Sequence, residues 1–222
     1  MISHKHKFIF IHTLKCAGTS IEKTLSDGVD IFDWNHKCKI NLPFGALRNE
    51  HLAKTINRFP SYYLFTFCRN PFSRLVSTYC HSHRDKDNGD FMAKSSAPTF
   101  KEYVCQVGAF LKGGSKQDEL SCFDRMHCQP QTTFVPIPGR PFYGEIMRHD
   151  VNLDFLGKLE SINEDFTSLL KDLNLPAVKL KLENNHDYQG KNHMDYYDKE
   201  TLEAAQEIYA KDFEYFGYEF GG

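Results

Sequence analysis

The stretch from Phe8 to Gly28 constrains this chain more than any other. Phe8-Ile9-Phe10-Ile11-His12 is a short apolar run of the kind that forms a buried strand. A loop of small and polar residues follows, Thr13-Leu14-Lys15-Cys16-Ala17-Gly18-Thr19-Ser20. Ile21 and Leu25 then stand four apart, as on one face of a helix, and Asp27-Gly28 suits its end. The unit is strand, small-residue loop, helix. A second such unit begins with the apolar strand 62–68 and its terminal Arg69-Asn70-Pro71. Asn70 suits a helix cap and Pro71 the first helical position, while Phe72, Leu75, Val76 and Tyr79 supply an apolar face.

The rest of the chain continues the alternation. A strand is expected at 29–34 with a polar loop after it, and a charged surface loop over 82–97. Helices are expected from Pro98 to about Val107 and over 118–128, separated by a Gly113-Gly114 turn. Residues 129–141 read as an irregular, Pro-containing loop, 154–160 as a third strand and 163–173 as a helix. A polar loop over 183–195 leads to a last amphipathic helix at 201–213. Strands alternating with helices predict an α/β fold of three layers, with a central parallel sheet flanked by helices. A length of 222 residues suits one domain spanning 1–222.

Composition excludes several classes. With 41% hydrophobic and 25% charged residues the chain has the make-up of a globular protein with a core, not of a disordered one. A formal net charge of −2 gives no sign of a general nucleic-acid binder, though a local anion site needs no net positive charge. The seven cysteines are odd in number and scattered, with no CxxC pair. They indicate neither a disulfide framework nor a zinc site, and reduced thiols in a cytoplasm are the expectation. Cys122 and Cys128 are the pair that would join in an oxidising compartment. No stretch approaches the roughly 18 apolar residues of a membrane span, and the N-terminus lacks a signal-peptide apolar region. A soluble, cytoplasmic protein is expected, and its oligomeric state is open.

The loop at 13–20 has the ingredients of an anion site. A helix N-terminus presents unpaired N–H groups and the positive end of its dipole. Ala17 and Gly18 allow close backbone approach, Thr19 and Ser20 carry hydroxyls, and Lys15 supplies a mobile cation. The pattern is not Walker A, in which Lys follows the second glycine of GxxxxGK and Ser or Thr comes next. Here the Lys precedes the loop's Gly by three residues, which weakens an ATP- or GTP-using reading.

His12-Thr13-Leu14-Lys15-Cys16-Ala17-Gly18-Thr19-Ser20-Ile21 resembles the 5′-phosphosulfate loop of carbohydrate-type sulfotransferases, H-x-P-K-T/C-A-G-T-S-I/L. It departs at Leu14, where the family commonly has Pro. The resemblance implies that Lys15, Cys16, Ala17, Gly18, Thr19 and Ser20 bind the donor PAPS (3′-phosphoadenosine 5′-phosphosulfate), with PAP as the desulfated product. It further implies that Arg69, and Ser77 eight residues later, hold the donor's 3′-phosphate. Guanidinium forks onto phosphate oxygens and a helix hydroxyl adds a neutral donor, so the chemistry agrees. Phe155-Leu156-Gly157-Lys158-Leu159-Glu160, Gln131 in its Pro-Gln-Thr context, and the C-terminal tail are similar to further segments of the family. Lys191 matches a basic residue that often reaches the donor. The family's fold is related to that of P-loop nucleotide kinases.

Sulfuryl transfer needs in-line geometry, charge stabilisation on the leaving oxygen and a base for the attacking hydroxyl. Lys15 suits the leaving oxygen. His51 lies where some family members carry a catalytic His, and Glu50 is the alternative base. No metal is expected, because a sulfuryl group carries less charge than a phosphoryl group. His81-x-His83 has no obvious Cys or carboxylate partner for a zinc site. The acceptor is expected to carry a free hydroxyl, on a glycan or a small molecule. Two other readings stay open: an ATP-dependent kinase of similar fold, and a non-catalytic nucleotide-binding module. Arg74 reads as a surface or helix-packing residue.

Overall fold

A computed structural model of the chain describes residues 1–28, 46–83, 96–114, 120–181 and 191–220, the side chains of 28 and 46–51 excepted. In chain order the elements are β1 (Ile2–Ser3), β2 (Phe8–Ile11), α1 (Gly18–Gly28), α2 (Ala46–Arg58), β3 (Tyr63–Cys68) and α3 (Pro71–Ser82). They continue with α4 (Phe100–Leu111), α5 (Cys122–His127), β4 (Pro141–Phe142), β5 (Glu145–Ile146) and β6 (Phe155–Lys158). The last three are α6 (Ile162–Asp172), α7 (Lys199–Ile208) and α8 (Ala210–Phe216). They form two compact units, each discontinuous in sequence: Met1–Cys68 with Thr133–Glu183, and Arg69–Thr132 with Asn184–Gly222.

The first unit is a sheet between helices. Its strand order is β1-β2-β3-β6. Parallel pairing sets Phe10 beside Phe65 and Phe67 beside Gly157. β1 adds an antiparallel edge strand that the sequence reading lacks, with Ile2 opposite Ile9. Because strand side chains alternate, β2 feeds two cores. Phe8 and Phe10 join Phe65 and Phe67 under α1 (Ile21, Leu25) and α6 (Phe166, Leu169). Ile9, Ile11 and Leu64 pack on the other face with Ala53 and Ile56 of α2. The three-layer expectation holds in this unit. Phe10 and Phe65 stack at 5.1 Å, and Phe65→Ala would cost roughly 3–5 kcal/mol as a core truncation. Gly157 is required by packing, since a Cβ there would lie 2.8 Å from Cζ of Phe67 and closer still to Cδ1 and Cε1.

The second unit is helical. Phe72, Leu75 and Val76 of α3, Tyr103, Val104 and Val107 of α4, and Ala205, Tyr209 and Phe213 near the C-terminus share one core. Asn70 caps α3 as expected, accepting from the N–H groups of Phe72 and Ser73, with Pro71 in the first turn. α4 starts at Phe100 and not Pro98, because Thr99 and Glu102 form a capping box. The single helix expected at 201–213 is two. Tyr209 leaves helical geometry at ψ 20, and its buried hydroxyl donates to the carbonyl of Cys128 at 2.7 Å.

Other expectations differ in detail. The strand expected at 29–34 lies outside the described residues, as does most of the loop 82–97. α2, beginning at Ala46, is a helix that the sequence reading lacks. The helix expected over 118–128 spans Cys122–His127, and 131–134 is a 3-10 turn. Among the described residues no helix is long and apolar enough to cross a membrane. The six described cysteines are free, Cys122 exposed and Cys128 buried.

Candidate functional site

Within the first unit, the loop after β2 turns tightly onto α1. Thr13 N–H donates to the carbonyl of Ile11 at 3.0 Å, and Cys16 N–H to that of Thr13 at 3.4 Å. Beneath it, Thr66 Oγ1 of β3 donates to the Ile11 carbonyl at 2.8 Å and lies 2.9 Å from Thr13 Oγ1. These buried hydroxyls lock the strand end before the chain leaves the sheet.

Lys15 and Ala17 then adopt left-handed backbone, φ 66 and φ 59, while Cys16 between them does not. Such conformations cost non-glycine residues of order 1–2 kcal/mol each. An alternation of this kind turns successive N–H groups toward one point and makes an anion-binding concavity. Helix α1 begins at Gly18 and has no acidic residue in its first turn, so its positive end is undiluted by carboxylate.

Gly18 is fixed by His12. A Cβ there would lie 2.6 Å from Cγ of the imidazole and closer still to Cδ2 and Nε2. The ring is held in turn by Glu22 of α1, Nδ1 to Oε1 3.3 Å, and lies near-parallel to Phe10. His12 thus braces the loop. Of the expected donor residues, Lys15 and Ala17 are half-buried, Thr19 is exposed, and Ser20 is buried. The Cys16 side chain is buried in the core with its thiol 3.5 Å from the Leu14 carbonyl, turned away from a ligand at the loop.

Within the second unit, Arg69 is clamped through its backbone. Its N–H donates to Gln131 Oε1 at 2.9 Å, and Gln131 Nε2 donates to its carbonyl at 2.8 Å. The amide side chain takes the place of a neighbouring strand. Gln131 is itself anchored by Asp212 of α8, whose carboxylate accepts from the N–H groups of Gln131 (2.7 Å) and Thr132 (2.9 Å) and from the Thr132 hydroxyl (2.9 Å). Gln131 and Asp212 are both fully buried.

The guanidinium of Arg69 is oriented by its Nε, which donates to Ser73 Oγ at 2.6 Å. Ser73 and Ser77 stand one turn apart on α3 and share a face. Ser77 is buried, and its hydroxyl has no hydrogen-bond partner among the described residues. A hydroxyl one turn along α3 from the serine that orients the Arg69 guanidinium suits an anion with oxygen acceptors. Sequence reasoning named Arg69 and Ser77 as candidates but not Ser73 or Asp212, which orient Arg69. The spacing of Ser73 from Arg69 was a usable signal.

The remaining candidates spread out. Lys191 is exposed, its ammonium 5.7 Å from the centroid of the Tyr196 ring, a cation–π contact within the second unit. Glu50 and His51 lie on α2, and their side chains fall outside the described residues. His83 does not stand open to a metal, since its ring nitrogens face the carbonyls of Tyr79 at 2.8 Å and Ala97 at 2.6 Å. His81 stacks on Phe123. Arg74 is not a surface residue: it is 1% exposed, with Nη2 donating to the His127 carbonyl at 2.9 Å. Nearby, burial pushes the Cys128 thiol up to about 12 despite the Arg74 charge.

A family model described as the sulfotransferase family matches residues 1–219. Among curated proteins, carbohydrate sulfotransferase 12 of Xenopus laevis is 29% identical over 140 residues, covering 59% of this chain and 32% of that protein. Carbohydrate sulfotransferase 12 of Mus musculus is 27% identical over 139 residues, covering 58% and 32%. The match thus spans about a third of the length of these relatives. No solved structure matches significantly.

Proposed function

Starting from the fact that the chain belongs to the sulfotransferase family, we propose that it binds PAPS and transfers its sulfuryl group to a carbohydrate hydroxyl. The observation that carries this reading is the loop 13–18, with Lys15 and Ala17 in left-handed backbone at the acid-free start of α1. The residues present fit the donor: backbone N–H groups of 17–20 and Lys15 for the 5′-phosphosulfate, Arg69 and Ser77 for the 3′-phosphate. Lys191 is a further cation available to the phosphates. Residues 1–222 are read as a single sulfotransferase domain.

PAPS supplies a sulfuryl group on a phosphate leaving group. The bond from sulfur to the bridging oxygen breaks as a bond from sulfur to the acceptor oxygen forms. Lys15 and the α1 N-terminus hold the negative charge that gathers on the leaving oxygen, a role whose removal typically lowers rate by about 10²–10³. The acceptor's proton passes to His51, with Glu50 as the alternative base on the same helix. Carbohydrate as acceptor is supported by the names of the two relatives.

Thermal denaturation with PAP and with ATP tests the donor, since a ligand of the native state raises the midpoint. PAP should stabilise the wild type and leave Lys15→Ala and Arg69→Ala little changed; stabilisation by ATP alone would sink the reading and favour the kinase. Transfer of labelled sulfate to a saccharide panel then separates enzyme from binding module. Full turnover in His51→Ala would move the base to Glu50.

A further inference from the structure

We propose a second anion site in the first unit, at the opposite end of the sheet from the donor loop, that holds the acidic portion of a polymeric saccharide. The proposal rests on the reading of the chain as a carbohydrate sulfotransferase. The site is a cavity of about 490 Å³ lined by Ile2, His4, Lys54, Thr55, Arg58 and Phe59. His4 lies in the turn before β2, and Phe59 between the end of α2 and the start of β3. The cavity therefore sits by the N-terminal ends of the two parallel strands whose C-terminal ends lead to Lys15 and Arg69. The four residues of β2 alone set the two ends about 10 Å apart.

Its chemistry is cationic and ordered. Lys54 and Arg58 stand one helical turn apart on α2, a spacing at which like charges repel and which an anion between them would relieve. Both are exposed, and Lys54 forms a solvent-exposed ion pair with Glu145 at 3.8 Å, weak enough for a polyanion to compete with it. The Arg58 guanidinium lies 5.4 Å from the centroid of the Phe59 ring, which steadies it by cation–π attraction. Phe59 is backed by Tyr62, stacked at 4.8 Å, and by the edge of His4 at 5.1 Å. His4 Nδ1 is tied to the Tyr62 hydroxyl at 2.8 Å, and its Nε2 has no hydrogen-bond partner among the described residues. Lys5 and Lys7, both exposed, follow His4 in the same turn without lining the cavity. This concentration of positive charge stands out in a chain of net charge −2.

The proposed reaction itself indicates the ligand. Each transfer converts a neutral hydroxyl into an anionic sulfate ester, so a chain already modified is more acidic than one that is not. A site too far from the donor loop to touch the reacting sugar, yet built for anions, suits the modified stretch of the same polymer. It would keep such a chain attached between turnovers.

The test is fluorescence polarisation with a labelled heparin hexasaccharide, using neutral maltohexaose and a labelled thymidine hexanucleotide as comparisons, on wild type and Lys54→Ala/Arg58→Ala. The wild type should bind the heparin hexasaccharide, maltohexaose should not compete, and the double variant should bind about tenfold or more weakly. PAP should raise the midpoint of wild type and variant equally, which shows that the variant is folded and its donor site intact. Affinity within twofold of wild type in the double variant would overturn the proposal. So would equal binding of the hexanucleotide with the same loss, which would mark an unselective polyanion surface. Absence of PAP stabilisation in the wild type would fail the donor reading, while the polarisation comparison would still report on this cavity.

Discussion

Gly18→Ala probes whether the His12 ring closes the donor loop. At an unobstructed helical position the exchange is favourable, by up to about 1 kcal/mol in a helix interior. Here the new methyl would lie 2.6 Å from Cγ of His12. The ring must swing out, or the loop must lift. Swinging out breaks the contact with Glu22, in which both side chains are about a quarter to a third exposed, so that loss is below about 1 kcal/mol. Overpacking against Phe10 and the loop adds about 1–3 kcal/mol. A net destabilisation of about 1–3 kcal/mol is expected, with weaker stabilisation by PAP because the N–H groups of the loop are turned away. His12→Ala removes the obstruction. In that background Gly18→Ala should be neutral or mildly stabilising, a coupling of about 1–3 kcal/mol in the cycle. Urea denaturation of the four proteins, followed by circular dichroism, measures it. Additivity within about 0.5 kcal/mol would refute the contact as the reason for glycine.

Three further perturbations address the second unit and its chemistry. Arg69→Lys keeps the charge but cannot both reach Ser73 and fork onto a phosphate, so PAP affinity should fall about tenfold while stability hardly changes; unchanged affinity by calorimetry would remove Arg69 from the phosphate site. Asp212→Ala leaves the N–H groups of Gln131 and Thr132 and the Thr132 hydroxyl facing a buried gap. It should cost about 3–5 kcal/mol in urea denaturation and release Arg69, and a loss below about 1 kcal/mol would show the clamp to be dispensable. For Cys128 the folded thiol is held neutral up to about 12 against an ordinary 9.0. The unfolded chain loses that proton first, so the stability it contributes is complete below pH 9 and is lost as pH rises from 9 toward 12. Cys128→Ala should flatten part of that slope, and an identical slope in the variant would contradict the assignment.

How much of the fold was legible depended on whether local chemistry or distant contacts decided it. β2, β3 and β6 were readable because short apolar runs have few other uses, and α3 because Asn70-Pro71 announces its start. α2 was not, since Leu52, Ala53 and Ile56 make a narrow stripe among polar residues, and packing under Ile9, Ile11 and Leu64 completes it. The break at Tyr209 was hidden for the same reason. It depends on a hydrogen bond to a carbonyl 81 residues away. β1, β4 and β5 have two residues each, too few for a period to show.

The candidate site divides along the same line. The residue types of the loop 13–20 and the Arg69 and Ser77 pair stand in the sequence as a pattern. Their scaffolding does not. Asp212 carried one usable sign: three residues after Tyr209 and next to Phe213, it falls on the buried face of a helix, where a carboxylate needs several donors. Which donors it finds is a matter of tertiary contact.

Leu14 shows why the scaffolding matters to function. The related loops commonly fix this position with proline, which restricts φ to about −65°. With leucine that restriction is gone, and the strained conformations of Lys15 and Ala17 need another source of order. Three hydrogen bonds are suited to supply it: Thr13 N–H to Ile11, Cys16 N–H to Thr13, and Thr66 Oγ1 to Ile11. The imidazole of His12 closes the far side against Gly18. The loop is thus held from the sheet below and from the helix beyond, and the strain at Lys15 is over-determined by neighbours that never touch the ligand. A departure from the family pattern at one residue therefore does not imply a looser site, because the constraint has moved from the covalent geometry of one ring to the packing around it.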